Sequence, residues 1–310
     1  MKIISIVNYK GGVGKTTVTA NLGAELAERG KNVLLIDLDP QASLTFSFIK
    51  PEDWDKILSK SRTVRNWFEP SYKKTKSPFF KNLIYSPSEL VNHLKFEGKF
   101  DLISSHLDLI NTEIEMASEL GGTTLRQTKN NYLDMHSRLA KGIKELYPDQ
   151  YDYVLIDCPP NFNIVTKNAI TACDFVMIPA KADYLSTLGI LYLERSFKDF
   201  VKDYNEFIEF NDDSNLRQIS PKILGIIFTM IQFYGDEPIK VSKDYIKKSK
   251  KEIKGLKIFD NYIRGNNSFF GDAPDIQKPV VLKKFTNEAE KKVVEGMKQF
   301  VDEFEKTIKQ

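Results

Sequence analysis

Two cysteines in 310 residues are too few for a disulfide framework. Both, Cys158 and Cys173, lie in or beside apolar segments, where buried thiols are expected. No apolar run reaches the roughly 18 residues of a membrane-spanning helix. No internal repeat or low-complexity linker divides the chain. Charge of one sign is scarce too: 45 Lys and Arg face 42 Asp and Glu. A net charge of +3 does not by itself call for a nucleic-acid partner. The chain opens on a core-type strand with no stretch that reads as a signal peptide, so a cytoplasmic location is expected. What is present is 41% hydrophobic residues, enough for a substantial core. The length fits one large α/β domain or two small ones.

Within that frame, residues 10 to 17, Lys-Gly-Gly-Val-Gly-Lys-Thr-Thr, dominate. They follow an apolar run, Ile3 to Val7, that reads as a buried strand. They precede Val18, Leu22 and Leu26, spaced as the inner face of a helix that stops at Gly30. Strand, glycine-rich turn and helix is the context of a phosphate-binding loop. Gly11, Gly12 and Gly14 leave room for backbone N–H groups to turn inward, and a helix N-terminus adds unpaired donors and partial positive charge. Lys15 can reach outer phosphates, and the Thr16 hydroxyl can ligate magnesium. Val13 and Thr17 complete the loop. Tyr9 stands where the general pattern asks for a further glycine, and a second lysine, Lys10, heads the loop.

Two more segments end in carboxylates. Val33 to Asp39 reads as a strand that stops at Pro40. In open α/β sheets ligands sit at the carboxyl ends of strands, so Asp37 and Asp39 arrive beside the loop. The alternative is a carboxylate pair capping the loop and helix that follow. Tyr153 to Asp157, with Cys158-Pro159-Pro160 behind it, supplies a carboxylate able to hold a magnesium-bound water opposite Thr16.

Lys10 to Thr17 resembles the deviant Walker A motif of the ParA/MinD family of ATPases. Asp37 to Gln41 and Asp157 to Pro160 resemble its other two motifs. The resemblance covers residues 1 to 45 and 151 to 185 tightly. It implies a single ParA-like ATPase domain over residues 1 to 310, with a doubly wound, mostly parallel sheet of about seven or eight strands. It implies magnesium-dependent ATP hydrolysis, slow until a partner stimulates it. Lys10 would cross to the phosphates of a second subunit, Asp39 would position the attacking water, and Asp37 would lie near the magnesium shell. Thr229 and Met230, after a strand at Ile223 to Phe228, would lie near the adenine. The implied partners are a second copy in an ATP-dependent dimer, nonspecific double-stranded DNA, and a ParB-like protein that releases the DNA; nucleoid association follows. With no segment ahead of the first strand, sequence-specific autorepression is not expected.

Other stretches are read from composition. Residues 46 to 135 form an elaboration: 118 residues separate Asp39 from Asp157. Within it, seven Lys or Arg (60, 62, 65, 73, 74, 76, 81) interleave with Trp67, Phe68, Tyr72, Phe79 and Phe80. That is either a nucleic-acid or partner surface or a solvated loop with anchoring aromatics. Leu188, Leu191 and then Phe197 to Ile208 carry helical spacing, read as core packing. Residues 240 to 257 hold eight lysines against two acids. On a helix, Lys243, Lys247, Lys250, Lys251 and Lys254 share one face, which suits phosphate neutralisation rather than base readout. Residues 288 to 309 read as an amphipathic helix. A MinD-type membrane helix is the alternative to one packed on its own domain; its mixed acids and lysines favour packing.

Overall fold

The computed structural model describes residues 1–69, 78–87, 97–209, 211, 216–271 and 277–309. Runs of Ile, Val and Leu buried on both faces make six strands: β1 (Lys2–Ile6), β2 (Val33–Asp37), β3 (Phe100–Ile103), β4 (Tyr153–Asp157), β5 (Phe175–Lys181) and β6 (Lys222–Thr229). They pair in parallel in the order β3-β2-β4-β1-β5-β6. The doubly wound α/β fold is as expected; its main sheet has six strands among the described residues, not seven or eight. A small antiparallel ribbon, β7 (Phe233–Tyr234) with β8 (Glu237–Pro238), stands apart.

Among the described residues, seven longer helices flank the sheet: α1 (Lys15–Glu28), α2 (Leu109–Ser118), α3 (Leu125–Lys144), α4 (Ile164–Ala172), α5 (Tyr184–Ile208), α6 (Lys240–Glu252) and α7 (Glu288–Thr307). Strand alternation sorts them into two layers. Leu34, Ile36, Val154 and Ile156 face the core shared with α2 to α5. Val33, Leu35, Tyr153 and Leu155 face the core shared with α1 and α7. The α1 layer is close: a Cβ at Gly23 of α1 would meet Leu35 Cδ2 at 2.7 Å.

The α7 apolar face, Val293 to Phe304, is buried on the body, as its mixed charge suggested. Arg29 at the end of α1 clamps it, with Nη1 2.6 Å from Asp302 and 3.1 Å from Glu305. Among the described residues no helix is long and apolar enough to cross a membrane.

The basic, aromatic stretch resolves as anchoring. Phe68 and Phe80 are fully buried, and the Phe80 ring lies on Gly142 of α3. Trp67 Nε1 donates to the Arg138 carbonyl at 3.1 Å. Arg62 donates to the carbonyls of Asn82 and Ile84, and Arg65 pairs with Asp108. Rings and guanidinium groups used this way cannot stack on bases. Phe79 is exposed; Tyr72, Lys73, Lys74 and Lys76 lie outside the described residues.

Core packing over the whole of residues 188 to 208 needs correction. Phe197, Phe200 and Tyr204 are buried, but Leu188 and Leu191 are exposed, in a stripe with Tyr184, Leu185 and Tyr192. The opposite side of that half is buried, with Ser186, Thr187 and Ile190 turned inward.

Candidate nucleotide site

Strand register assembles the site. Asp157 ends β4 opposite both Ile6 of β1 and Asp37 of β2. The loop after β1 therefore starts beside β4, with β2 the next strand out, and these two deliver the carboxylates at the carboxyl edge where strand order reverses.

The loop is built around its own lysine. Gly12 and Gly14 have φ of 66° and 80°, which a side chain would strain. Gly14 is the N-cap of α1, and no side chain caps that end. The first N–H groups of α1 are thus available to an anion. Lys15 is buried, with Nζ 3.3 Å from the Asn8 carbonyl and 3.4 Å from the Lys10 carbonyl. Burial holds its pKa below the usual lysine value, although Asp157 and Asp39 pull it back up. Tyr9 packs its ring on Phe162 at 5.7 Å, so this position serves contact rather than a turn.

Thr16 Oγ1 donates to Asp157 Oδ2 at 2.7 Å. Asp157 is fully buried, and desolvation pushes its carboxyl up to about 7 against the pull of Thr16 and Lys15. Asp37 is raised as well, by burial first and by Asp157 second. A buried carboxylate pair facing threonine hydroxyls and one lysine is short of positive charge, which a divalent cation would supply. No cluster of three or more His, Cys, Asp or Glu side chains able to hold a metal occurs among the described residues. The donor set fits an ion that keeps water and phosphate ligands, as magnesium does.

The two aspartates after β2 part company. Asp37 Oδ1 accepts the Asp39 N–H at 3.1 Å, and Oδ2 accepts the Thr45 N–H and hydroxyl at 2.8 and 2.7 Å. Both its oxygens thus hold the loop and short helix that follow. Asp39 is half-buried, accepts the Gln41 N–H at 2.9 Å and lines a cavity of about 470 Å³. Gly11, Gly12, Gly14, Thr16 and Thr17 share that cavity. Val13 does not; its side chain is buried inward.

The end of β6 gives the loop a back wall. Thr229 Oγ1 donates to the Val13 carbonyl at 2.7 Å, behind the loop rather than in the cavity. Met230, at φ 55°, reaches the cavity wall with Phe270, Lys278, Pro279 and Val280. The 278–280 segment carries no motif. It is fixed by Asn21 of α1, whose Oδ1 accepts the Val281 N–H at 2.8 Å. Asn8 escapes sequence reading too: its Nδ2 donates to the Pro179 carbonyl at 2.7 Å, and its Oδ1 accepts the Lys10 N–H at 2.9 Å.

Lys10 turns onto its own subunit. Its Nζ lies 2.8 and 3.1 Å from the two oxygens of Asp183, the N-cap of α5. That pairing depresses the Asp183 pKa against the effect of its partial burial.

The lysine-rich segment lies elsewhere. α6 carries Lys243, Lys247, Lys250 and Lys251 on its exposed side, around a shallow cavity of about 420 Å³. Lys243 pairs with Glu237, and Lys250 with Asp260 at 3.1 Å. Lys247 and Lys251 have no acidic partner among the described residues. Lys254 falls beyond the helix, because Ile253 leaves helical geometry with its side chain buried and Gly255 turns at φ 84°.

Comparison with known proteins agrees with this geometry. The family described as an AAA domain matches residues 1–210. Two uncharacterized proteins of Mycobacterium tuberculosis are each 34% identical over 195 residues, 62% of this chain; the chain spans 50% of their length. The chromosome partitioning protein ParA of Caulobacter vibrioides is 30% identical over 91% of this chain and 87% of its own. The sporulation initiation inhibitor protein Soj of Bacillus subtilis is 29% identical over 91% and 90%. Among solved structures, apo McdA from Cyanothece superposes with a TM-score of 0.69 at 23% identity, over 97% of this chain and 99% of that one. Cobyrinic acid a,c-diamide synthase of Mycobacterium smegmatis, with an ATP analog and magnesium, gives 0.68 at 22%, over 100% and 96%. At these identities the structural likeness is one of fold. With its three motifs gathered at one sheet edge, the chain belongs to the AAA-domain family, in the branch that contains ParA and Soj.

Proposed function

We propose that this chain is a ParA-like partition ATPase. The observation that supports it most is one cavity lined by Lys15, Thr16 and Asp39, with Asp157 held against Thr16 at 2.7 Å. Lys15 and the N–H groups of residues 11 to 16 hold the phosphates of ATP. Thr16 and Asp157 hold the metal, Asp157 through water, while Asp37 fixes the loop that carries Asp39. Bound magnesium offsets charge on the outer phosphate oxygens. Asp39 orients the attacking water. Met230 and the 278–280 segment wall the base.

Lys10 exchanges Asp183 for the nucleotide of a second copy, acting as an arginine finger does elsewhere. ATP thereby favours a dimer. Lys247, Lys251 and Lys254 offer charge to the phosphates of nonspecific double-stranded DNA, with Lys243 and Lys250 joining if they give up their acidic partners. A ParB-like protein stimulates hydrolysis and so releases the DNA. A protein assembly as cargo is the second reading, favoured by the exposed apolar stripe of Tyr184, Leu185 and Leu188.

The test is binding to random-sequence duplex DNA with ATP, ADP or no nucleotide, across a salt series. The expected result is ATP-dependent binding that weakens steeply with salt, is lost in Lys10→Ala and persists in Asp39→Ala while hydrolysis stops. Absence of DNA binding in every nucleotide state would move the reading to a protein surface.

A further inference from the structure

The element that holds Lys10 also holds the lysine helix. Asp183 caps α5: its Oδ1 accepts the Ser186 N–H at 2.7 Å while the same carboxylate takes the Lys10 ammonium. In the same turn, the Thr187 hydroxyl donates to the Asp183 carbonyl at 3.2 Å and meets Ser249 Oγ of α6 at 2.8 Å. Both hydroxyls are buried. Ser249 and Ile246 are the two buried residues of the 13 in α6. The remainder of that helix is mostly exposed and charged, so its seat on the body is narrow. Tyr184, the first residue of α5, adds a second link: the Lys248 ammonium stands 5.5 Å from its ring centroid.

We propose that these contacts couple the position of Lys10 to the lysine surface of α6. The inference rests on the reading that Lys10 leaves Asp183 for a nucleotide phosphate. An Asp183 carboxylate that loses its cation keeps its negative charge at the N-terminus of α5. It is then free to draw closer to the N–H groups of the first turn. Tyr184 and Thr187 lie in that turn. Ser249 follows Thr187, because separating the two hydroxyls would strand the fully buried Ser249 hydroxyl in a dry contact, while Thr187 keeps its bond to the Asp183 carbonyl. α6 therefore has one seat when Lys10 is on Asp183 and another when it is not. The first turn of α5 is the two-state element that both sites bias. Lys247, Lys248 and Lys251 move with α6, so the polyanion surface is set by nucleotide through packing inside one subunit, in addition to any effect of pairing two subunits.

Hydrogen–deuterium exchange on the full chain tests this, reading residues 240–252 with and without a non-hydrolysable ATP analogue and magnesium. In the wild type, exchange across α6 should change by at least about fivefold on binding the analogue, the lower range of an allosteric coupling. Thr187→Val and Ser249→Ala should abolish that response while protection of the phosphate loop by the analogue remains. Thr187→Ser, which keeps the hydroxyl, should retain it. Asp183→Ala without nucleotide should shift α6 towards its analogue-bound exchange. If the analogue protects the loop but leaves α6 unchanged in the wild type, or if Thr187→Val responds as the wild type does, the coupling is wrong. A normal α6 response in a protein that binds no DNA would support the coupling and overturn the DNA reading instead.

Discussion

Two clusters of charge in this molecule are built in opposite ways. Where α7 docks on α1, Arg29 lies between Glu25 at 2.8 Å, Asp302 at 2.6 Å and Glu305 at 3.1 Å, with Lys298 near Glu25 at 3.8 Å. These groups sit at the rim of an apolar contact, and every charge has an opposite neighbour. At the phosphate edge, Asp37 and Asp157 are fully buried side by side and Lys15 is the buried cation beside them. The first arrangement is complete without a ligand. The second is short of positive charge until a cation arrives. Structural ion pairs close on themselves, whereas a site built for a ligand leaves its charges uncompensated.

If α7 is held by its apolar face and its charges only trim the rim, Phe304→Ala should cost about 3–5 kcal/mol, the usual penalty for emptying a buried phenylalanine site. Phe304 is fully buried, with its ring 5.8 Å from that of Tyr153. Chemical denaturation would measure it. A cost below about 1 kcal/mol would mean that α7 is a loosely attached helix, free to serve another surface.

The same contrast explains what was legible in the sequence. The phosphate loop, Asp39 and Asp157 could be read because each sits at the end of an apolar strand, and strand ends meet at one edge of a parallel sheet. Lys10 could be singled out, but its resting partner Asp183 lies 173 residues away and belongs to no motif. Asn8 and Thr229 support the loop through side-chain bonds to backbone groups, which leave no spacing pattern. The elaboration stayed opaque for a related reason: Arg62 binds two carbonyls, and Phe80 packs on a glycine. Neither contact has a period. Helical spacing misled at Leu188 and Leu191 because it reports an apolar face and not what lies against that face.

Buried titratable groups away from the phosphate edge give the next test. His136 is enclosed by Tyr132 and Phe200, its Nδ1 is 2.8 Å from the Tyr132 carbonyl, and its Nε2 has no hydrogen-bond partner among the described residues. Burial lowers its pKa to about 4. The folded protein therefore resists protonation there while the unfolded chain does not. Stability from this group is present above pH about 6.5 and is lost as pH falls towards 4, by up to roughly 3 kcal/mol. His136→Phe should flatten the stability profile over that window. An unchanged acid limb would show that the ring is charged in the fold and has a partner.

The phosphate edge predicts the reverse of an ordinary destabilising change. Asp157→Asn keeps an acceptor for Thr16 and removes a buried charge that repels Asp37. It should raise the stability of the ligand-free chain at pH 8 by about 1 kcal/mol or more, while lowering ATP turnover at least about 100-fold. Loss of both stability and turnover would mean that the carboxylate is paired in the folded chain, and the contrast between the two clusters would fail.

The smallest effect is expected at the rim. Arg29 and Asp302 keep 24% and 56% of their side-chain surface exposed, so water screens their attraction. Arg29 has two other carboxylates within reach, and losing Asp302 leaves it still paired. A double-mutant cycle on Arg29→Ala and Asp302→Ala should therefore give a coupling of only about 0.2–1 kcal/mol, the range for exposed pairs. It should shrink further in high salt. Arg29→Ala alone should cost more than Asp302→Ala alone, because it also leaves the buried Glu25 without its nearest cation. That inequality separates two accounts of the rim. If the two single changes cost the same, the rim charges act as independent surface pairs. If Arg29 dominates, the cluster is organised around Glu25, and the rim has a buried member whose need is met within the chain, as the needs of Asp37 and Asp157 are not.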